Sequence, residues 1–432
     1  LRVYFGPDTV PVPAMIKVGR AVLVTPETVG ESLVRLITRD AGSELDVQVP
    51  VQRFTSTHQF GRLRPVLFGR GFSIPALQTS VDLHYTVHDS VAASNAGGLS
   101  SIGEVQDRGL ALTPTTQWIT TVSGENVGFQ LLQASAGRIT CFASGPSREP
   151  GVLNPGRLNW FMDAMLSLRL GWPQSRIDLD GLAALSLETS AVLCRYIDSS
   201  VTYGQVCTEV GDSLSGWWWI DFDGVFRLER WRAPAGTPVL DLDASSWEGD
   251  LSVRFDKAPG LADSVLASRN WHVFSPGELA DSVRDTTLGA TLTRPYRNST
   301  TFLVADDYAD ARGAAGADRL DNVNSGAGVS RPPAETGMPT LLLSGINEAA
   351  HRQTLYGEPR FFFEARTLVD ALEAVQIYPG DLVRITHDRF NLDAGHLVRV
   401  VSVEFNLGDT AVDLVTWGGA PVVEKGAKET VA

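Results

Sequence analysis

The chain has 432 residues, enough for roughly three domains of ordinary size. Its composition, 43% hydrophobic and 20% charged residues, is typical of a soluble globular protein. No run approaches the ~18 apolar residues of a membrane span, so we expect no stable membrane insertion. The formal net charge of −14 makes the surface repel phosphate, which argues against specific DNA binding.

The N-terminus and the cysteines bear on the cellular compartment. The first residues show no charged segment followed by an apolar one, so we expect assembly in the cytoplasm. Cys141, Cys194 and Cys207 are odd in number and lack C-x-x-C spacing. Reduced, buried thiols are the first interpretation, and a Cys194–Cys207 disulfide is the second.

The hydrophobic pattern predicts a mainly β protein with an α+β middle and a few short helices. Residues 1–150 alternate short β-rich runs with turns, which predicts an N-terminal all-β domain. The strands predicted in it are 16–24, 33–39, 45–54, 65–70, 83–89 and 137–145.

Residues 151–240 are assigned to an α+β domain. A first helix is predicted after Asn154-Pro155, and a second follows Asp180 through residues 182–193. A third begins at Thr202, which forms a capping box with Gln205, and Gly216 is predicted to end it as the C′ residue.

The stretch 216–231, GWWWIDFDGVFRLERW, predicts a hairpin with a three-residue loop and a left-handed Gly224. One predicted face is wholly apolar and consists of Trp218, Ile220, Phe226 and Leu228. The other face mixes aromatic and charged residues, as is typical of a surface that meets another layer or subunit. From that face we select the interface candidates Trp217, Trp219, Arg227 and Glu229.

The remainder is divided into four parts. Residues 241–308 are a β segment, and 309–339 form a long loop or flexible arm, since they contain no aromatic residue and many Gly, Ala, Asp, Asn and Pro. Residues 340–420 are assigned to a C-terminal β-barrel and 421–432 to a tail. The predicted elements are strands at 251–256, 263–274, 360–368, 382–388, 396–406 and 411–418, turns at 379–381 and 408–409, and a helix around 347–356.

One motif suggests an enzyme. Gly211-Asp212-Ser213-Leu214 resembles the Gly-Asp-Ser-Leu block of SGNH esterases, 345–348 resembles their Gly-x-Asn-Asp block, and Asp393 and His396 fall in the order of their Asp-x-x-His block. That nucleophile should open a helix after a buried strand, whereas Ser213 is predicted to close one. We therefore predict no catalytic residues and keep an esterase or cell-wall hydrolase using Ser213 and His396 as the alternative.

Several carboxylates and histidines could bind a metal ion or act on a sugar, but each has a simpler structural explanation. An EF-hand loop over Asp221-x-Asp223-Gly224 would have Trp219 at its first ligand position. A glycosidase would need two catalytic carboxylates, and Glu229 could be one of them. Because Glu229 lies beside Arg227, we expect it to form a solvated ion pair instead. His84 and His88 are expected on one strand face about 13 Å apart, too far for one metal, at an exposed or interfacial edge. No metal or cofactor site is predicted.

The order of sequence landmarks along the whole chain resembles the tail-tip hub, or central baseplate, proteins of long-tailed bacteriophages and of related prophage or gene-transfer particles. The matching stretches are RPVLFGR (64–70), HYTVHD (84–89), VQDRG (105–109), 127–145, the Trp-rich hairpin, NEAAHR (347–352), 378–405 and VDLVTWG (412–418).

The resemblance implies a structural virion protein with several small antiparallel β-barrel or sandwich hub domains. It implies a homotrimeric ring below the tail tube that contacts the distal tail, tape-measure and tail-fibre or receptor-binding proteins. The ring would surround the DNA exit channel, and DNA would pass without specific binding. Larger hubs carry fibre-like C-terminal extensions, so here we expect host recognition in another subunit. Some relatives hold a cysteine-ligated iron–sulfur cluster, but the three cysteines lack its spacing.

Overall fold

The structure is a computed structural model in which most of the chain can be described. The described residues are 2–5, 16–28, 34–89, 99–123, 126–146, 156–189, 193–221, 223–243, 246, 251–255, 264–268, 271–293, 296–301, 351, 354–355, 360–367, 377–388, 392–406 and 411–419. The predicted arm at 309–339, the 408–409 turn, Asn154-Pro155 and the tail at 421–432 lie outside them. The predicted helix around 347–356 lies largely outside them too.

The prediction of a mainly β protein with a few short helices is confirmed. The strands are β1 (Arg2–Phe5), β2 (Ile16–Thr28), β3 (Val34–Asp40), β4 (Val66–Pro75), β5 (Leu77–Gln78), β6 (His84–Thr86), β7 (Ser101–Asp107), β8 (Leu110–Ala111), β9 (Trp118–Ser123), β10 (Asn126–Leu131), β11 (Ile139–Ser144), β12 (Cys194–Ile197), β13 (Gly216–Ile220), β14 (Phe226–Arg230), β15 (Leu240–Leu242), β16 (Ser252–Phe255), β17 (Ser264–Ser268), β18 (Tyr296–Thr301), β19 (Arg360–Thr367), β20 (Leu382–Ile385), β21 (His396–Asn406) and β22 (Ala411–Gly419). The helices are α1 (Leu158–Met162), α2 (Leu179–Thr189), α3 (Tyr203–Ser213), α4 (Asp281–Arg284) and α5 (Thr287–Leu292).

These strands form six sheets, and nearly all of their pairings are antiparallel. The strand orders are β1-β2-β3, β5-β6-β10-β9, β12-β4-β11-β7-β8, β13-β14, β15-β20-β21-β22-β19-β16 and β17-β18. Because β12 pairs with β4, the five-stranded sheet joins residues on both sides of the predicted boundary at 150. The domain boundaries themselves stay a prediction.

Strand β4 separates two hydrophobic cores. Val66 and Phe68 point into a core shared with α1, α2, α3 and the β13-β14 hairpin. Leu67 and Ile74 belong to a second core, which includes Tyr85 and Phe129. Because side chains alternate across a strand, burial on both faces requires a nearly continuous apolar run, which VLFGRGFSIP supplies.

The helices of the middle region agree with their predicted periodicity. After α1 the chain continues as a π-helix over Asp163–Arg169, so the amphipathic segment is longer than one regular helix. The predicted capping box of α3 is confirmed: the Thr202 N–H donates to Gln205 Oε1 at 2.9 Å, and the Gln205 N–H donates to Thr202 Oγ1 at 3.2 Å.

Four local predictions are wrong. The predicted strand 263–274 is shorter, since β17 covers Ser264–Ser268 and residues 271–274 are not in a strand. The run 45–54 is not a strand: it makes isolated bridges at Gln48 and Arg53, and Pro50 lacks the N–H that a ladder needs. Gly216 is not the C′ residue of α3, because Ser215 takes the left-handed conformation, with φ of 50°, and Gly216 already begins β13. His88 is fully buried rather than at an exposed edge, and its Nδ1 accepts the Leu67 N–H at 3.0 Å.

The predicted C-terminal strands assemble into a six-stranded sheet that also takes in β15 and β16. Its core contains Phe363, Val383, Val398 and Leu414. Most pairings in it are antiparallel, whereas β15 runs parallel to β20. Among the described strands, β15 and β16 are the two edges of this sheet and do not pair with each other, so it is not a closed barrel.

Two predictions about composition can be compared directly with the structure. Cys141, Cys194 and Cys207 are all free, as the first interpretation predicted. Burial raises the pKa of the Cys194 thiol to about 12, which keeps it protonated and unreactive at neutral pH. In the described part of the chain, no helix combines the length and apolar character that crossing a bilayer requires.

Candidate interface site

The Trp-rich hairpin forms with the predicted register. Trp217 pairs with Glu229, Trp218 with Leu228 and Ile220 with Phe226. At the loop, the Asp221 Oδ1 accepts the N–H groups of Asp223 and Val225, both at 2.9 Å, and Gly224 is left-handed with φ of 77°. The Asp-x-Asp-Gly spacing therefore serves the turn.

The predicted apolar face of the hairpin packs into the core. Phe226 and Leu228 are buried, and Trp218 and Ile220 lie against the same core at partial burial. The Trp218 ring stacks on Phe226 with centroids 5.9 Å apart. This face joins the hairpin to α2 and α3 and leaves the opposite face for other contacts.

The mixed face of the hairpin meets the six-stranded sheet of the same chain. Trp217 stacks on Trp219 with centroids 5.9 Å apart, and lies 4.4 Å from Trp231. Trp231 in turn lies 5.4 Å from Trp417 on β22. We call these four residues the tryptophan cluster. It is an interface between two layers within the chain, and contact of Trp217 or Trp219 with a neighbouring subunit remains a prediction.

Arg227 is held by two carboxylates, and neither is Glu229. Its Nε lies 2.8 Å from Asp221 Oδ2, and its Nη1 lies 2.8 Å from Asp178 Oδ2. Burial opposes the charge of Arg227, but the hydrogen bond and negative charge of Asp221 outweigh it and raise the pKa of the guanidinium. The expected solvated ion pair between Glu229 and Arg227 is therefore wrong.

Glu229 lies instead against the Pro-Gly-Asp turn that precedes β20. A Cβ added to Gly380 would lie 2.5 Å from Glu229 Oε2 and 3.5 Å from the Trp217 ring, so the turn approaches the hairpin closely. Gly380 is also left-handed, with φ of 100°. Only glycine meets both requirements without strain.

Two carboxyls and a buried arginine gather at this contact. Arg399 donates from Nη1 to the Gly380 carbonyl and from Nε to the Arg232 carbonyl at 3.1 Å. Asp381 accepts the Tyr378 N–H at 2.7 Å. No hydrogen bond or ion pair joins the Glu229 side chain to the described residues, although the charges of Arg232 and Arg399 attract it.

Burial governs ionisation at this contact. It raises the pKa of the Glu229 carboxyl against the opposing pull of Arg232 and Arg399, while the nearby Asp381 adds to the increase. Burial likewise raises the pKa of Asp381, and its hydrogen bond from Tyr378 and the charge of Arg399 only partly offset this. Burial also lowers the pKa of Arg399. The contact is therefore more favourable when Glu229 and Asp381 are protonated.

These shifts predict a pH-dependent stability. A carboxyl whose pKa is raised by folding stabilises the protein below its ordinary value, 4.5 for Glu229, and that contribution is lost as the pH rises through the folded value. We therefore expect Glu229→Gln to unfold at higher urea concentration than the wild type at neutral pH. The difference should shrink as the pH falls towards 4.5.

The same substitution at an exposed carboxylate, Glu404→Gln, is the matched control for this titration. A difference between Glu229→Gln and wild type that stays constant with pH would show that folding does not shift the pKa of Glu229. A Glu229→Gln variant that is less stable than wild type at neutral pH, with a deficit that shrinks as the pH falls, would show that the charge of Glu229 stabilises the contact.

The residues of the alternative enzyme reading lie in ordinary structural positions. Ser213 ends α3, and its hydroxyl donates to the Glu209 carbonyl at 2.7 Å. Asp393 is in the turn before β21, and His396 is the first residue of that strand, paired with Ile385. Within the described ranges, no three His, Cys, Asp or Glu side chains are grouped so that they could hold a metal ion.

Several residues of the contact were not selected from the sequence. Trp231, at the end of the hairpin stretch, completes the site together with Gly380, Arg399 and Trp417 from three other parts of the chain. The Pro-Gly-Asp sequence does predict the turn at 379–381. Trp231 is also visible in the sequence, as the last residue of the Trp-rich stretch. Nothing local indicates that these residues meet, because more than 140 positions separate the hairpin from the turn.

No protein-family model matches the sequence, and none of the curated proteins matches it significantly.

Proposed function

We propose that this chain is a structural virion protein, the tail-tip or baseplate hub of a long-tailed bacteriophage or a related particle. In this proposal, three copies form a ring below the tail tube, joined to the distal tail and tape-measure proteins above and to the receptor-binding apparatus below. The ring surrounds the channel through which DNA leaves. Its role is assembly and gating rather than bond chemistry.

The proposal rests on the order of the matching sequence stretches along the chain. It rests also on the position of one of them, the Trp-rich hairpin, between two layers of the structure. The Trp-rich hairpin packs one face on the helical core and the other on the six-stranded sheet, through Trp217, Trp231 and Trp417. In this proposal, the hub keeps its β domains in fixed positions relative to one another while the proteins bound to it change position. A joint made from stacked aromatic rings and a buried arginine suits that task.

Charge and sheet architecture give further support. With a net charge of −14, the protein offers little to hold phosphate by counterion release, as a channel for passing DNA requires. The six-stranded sheet ends at β15 and β16 among the described strands. In the proposed ring, these edges are where pairing with a neighbouring subunit would complete a hub domain.

The proposal predicts a trimer. Light scattering of the purified chain should give about three times its mass of 46.6 kDa. Trp219 contacts Trp217 among the described rings and is half-buried, so Trp219→Ala should shift the trimer towards monomer. Leu187→Ala, at a residue 74% exposed on α2, is the control and should leave the trimer unchanged. A wild-type protein that stays monomeric at high concentration would contradict the proposal.

The alternative, an esterase or cell-wall hydrolase, has a separate test. In a hub, Ser213→Ala removes one hydrogen bond at the end of α3, so the trimer and the thermal unfolding temperature should be nearly unchanged. We expect hydrolysis of p-nitrophenyl acetate by wild type and Ser213→Ala to be equal to background. Hydrolysis that is abolished by both Ser213→Ala and His396→Ala would favour the enzyme.

A further inference from the structure

An open groove runs along the N-terminal half of α3, on the side opposite the tryptophan cluster's contact with the six-stranded sheet. It has a volume of about 550 Å³, within the range of small-molecule sites. Residues from three separate segments form its walls: Asp46, Ser200, Thr202, Thr208, Glu209 and Trp218.

The aromatic wall of the groove has a fixed orientation. The Trp218 ring stacks on the buried Phe226, and its Nε1–H donates to Thr208 Oγ1 at 3.1 Å. Both contacts hold the indole in place in the absence of a ligand. An aromatic surface fixed in this way can stack on a flat apolar partner without losing rotamer freedom.

The remaining walls combine polar side chains with Val201 and Gly204, and no Lys or Arg is among the described residues that line the groove. Asp46 and Ser200 are exposed, so a carboxylate and a hydroxyl border the groove. Glu209 is paired with Arg195 at 2.8 Å, which neutralises it. An anionic ligand would meet Asp46 without a compensating cation among the groove residues, so the site disfavours anions and offers hydrogen-bond partners to a neutral ligand.

We infer that this groove binds a neutral saccharide. A sugar ring has an apolar C–H face that suits the Trp218 indole, and hydroxyls around its edge that suit the carboxylate of Asp46 and the hydroxyl of Ser200. A wholly apolar ligand would leave these polar groups without partners. The inference does not depend on the proposed hub function, because it uses only the groove.

The test is saturation-transfer NMR on the full-length protein with three neutral probes: maltotetraose, cellotetraose and tetra-N-acetylchitotetraose. We expect transfer to at least one probe, with the strongest signal from ring C–H protons. Asp46→Asn and Trp218→Phe should each weaken its binding by about tenfold. Asp82→Asn, the same change at an exposed aspartate outside the groove, should leave binding unchanged.

Two results would overturn the inference. One is the absence of transfer to all three probes at millimolar concentration. The other is binding that persists at wild-type strength in Asp46→Asn. Because Trp218 also packs on Phe226, circular dichroism has to show that Trp218→Phe is folded, and Asp46→Asn provides the test that does not touch the core.

Discussion

Replacing Asp89 by alanine is expected to lower the free energy of unfolding by about 3–5 kcal/mol, the range for removing one partner of a buried ion pair. Asp89 is fully buried and forms an ion pair with Arg169 of the π-helix, whose side chain is only 13% exposed. The substitution would leave the Arg169 charge in the core without its carboxylate. Urea unfolding monitored by tryptophan fluorescence gives the value.

A second substitution shows whether the unpaired charge is the cause. Asp89→Ala combined with Arg169→Met should recover part of the lost stability, because no buried charge is left unpaired. The exposed pair Arg62–Asp198, at 3.4 Å, is the control, and Asp198→Ala should cost at most about 1 kcal/mol. Equal losses at Asp89 and Asp198, or no recovery in the double variant, would contradict this account.

Gly216→Ala is the other change with a large expected effect, about 3 kcal/mol, at the upper end of overpacking costs. A Cβ at this position would overlap the backbone carbonyl oxygen of Glu229 on the paired strand. A backbone atom cannot turn away as a side chain can, so the first residue pair of the hairpin would have to separate. The tryptophan cluster would loosen with it.

Gly277 provides the control for this prediction. A Cβ there meets nothing within 4 Å, and the backbone is not left-handed, so Gly277→Ala should change stability by less than about 1 kcal/mol. Thermal unfolding of both variants makes the comparison. A small effect of Gly216→Ala would show that β13 and β14 can move apart without cost.

The hairpin was predictable because its information is local. Alternating residues define its two faces, and Asp221 and Gly224 specify the turn, so the register follows from about sixteen consecutive positions. The capping box of α3 is local in the same sense, since it joins Thr202 to Gln205.

Features that depend on distant parts of the chain were not predictable. Nothing near Glu229 indicates that the turn at Gly380 lies against it, so the sequence predicts a solvated carboxyl where the structure has a half-buried one. The sequence predicts His88 at an edge because alternation alone does not show that both faces of a strand are covered. The helix-ending role predicted for Gly216 is wrong, but glycine is still required there, because the paired backbone approaches closely and not because the conformation is left-handed.

The most direct test of the proposed role is to locate this chain in the particle. Cryo-electron microscopy of the particle that carries this chain should show it as a three-fold ring at the end of the tail, with the tryptophan cluster inside each subunit and the channel along the axis. A particle whose tail end is complete without this chain would contradict the hub proposal.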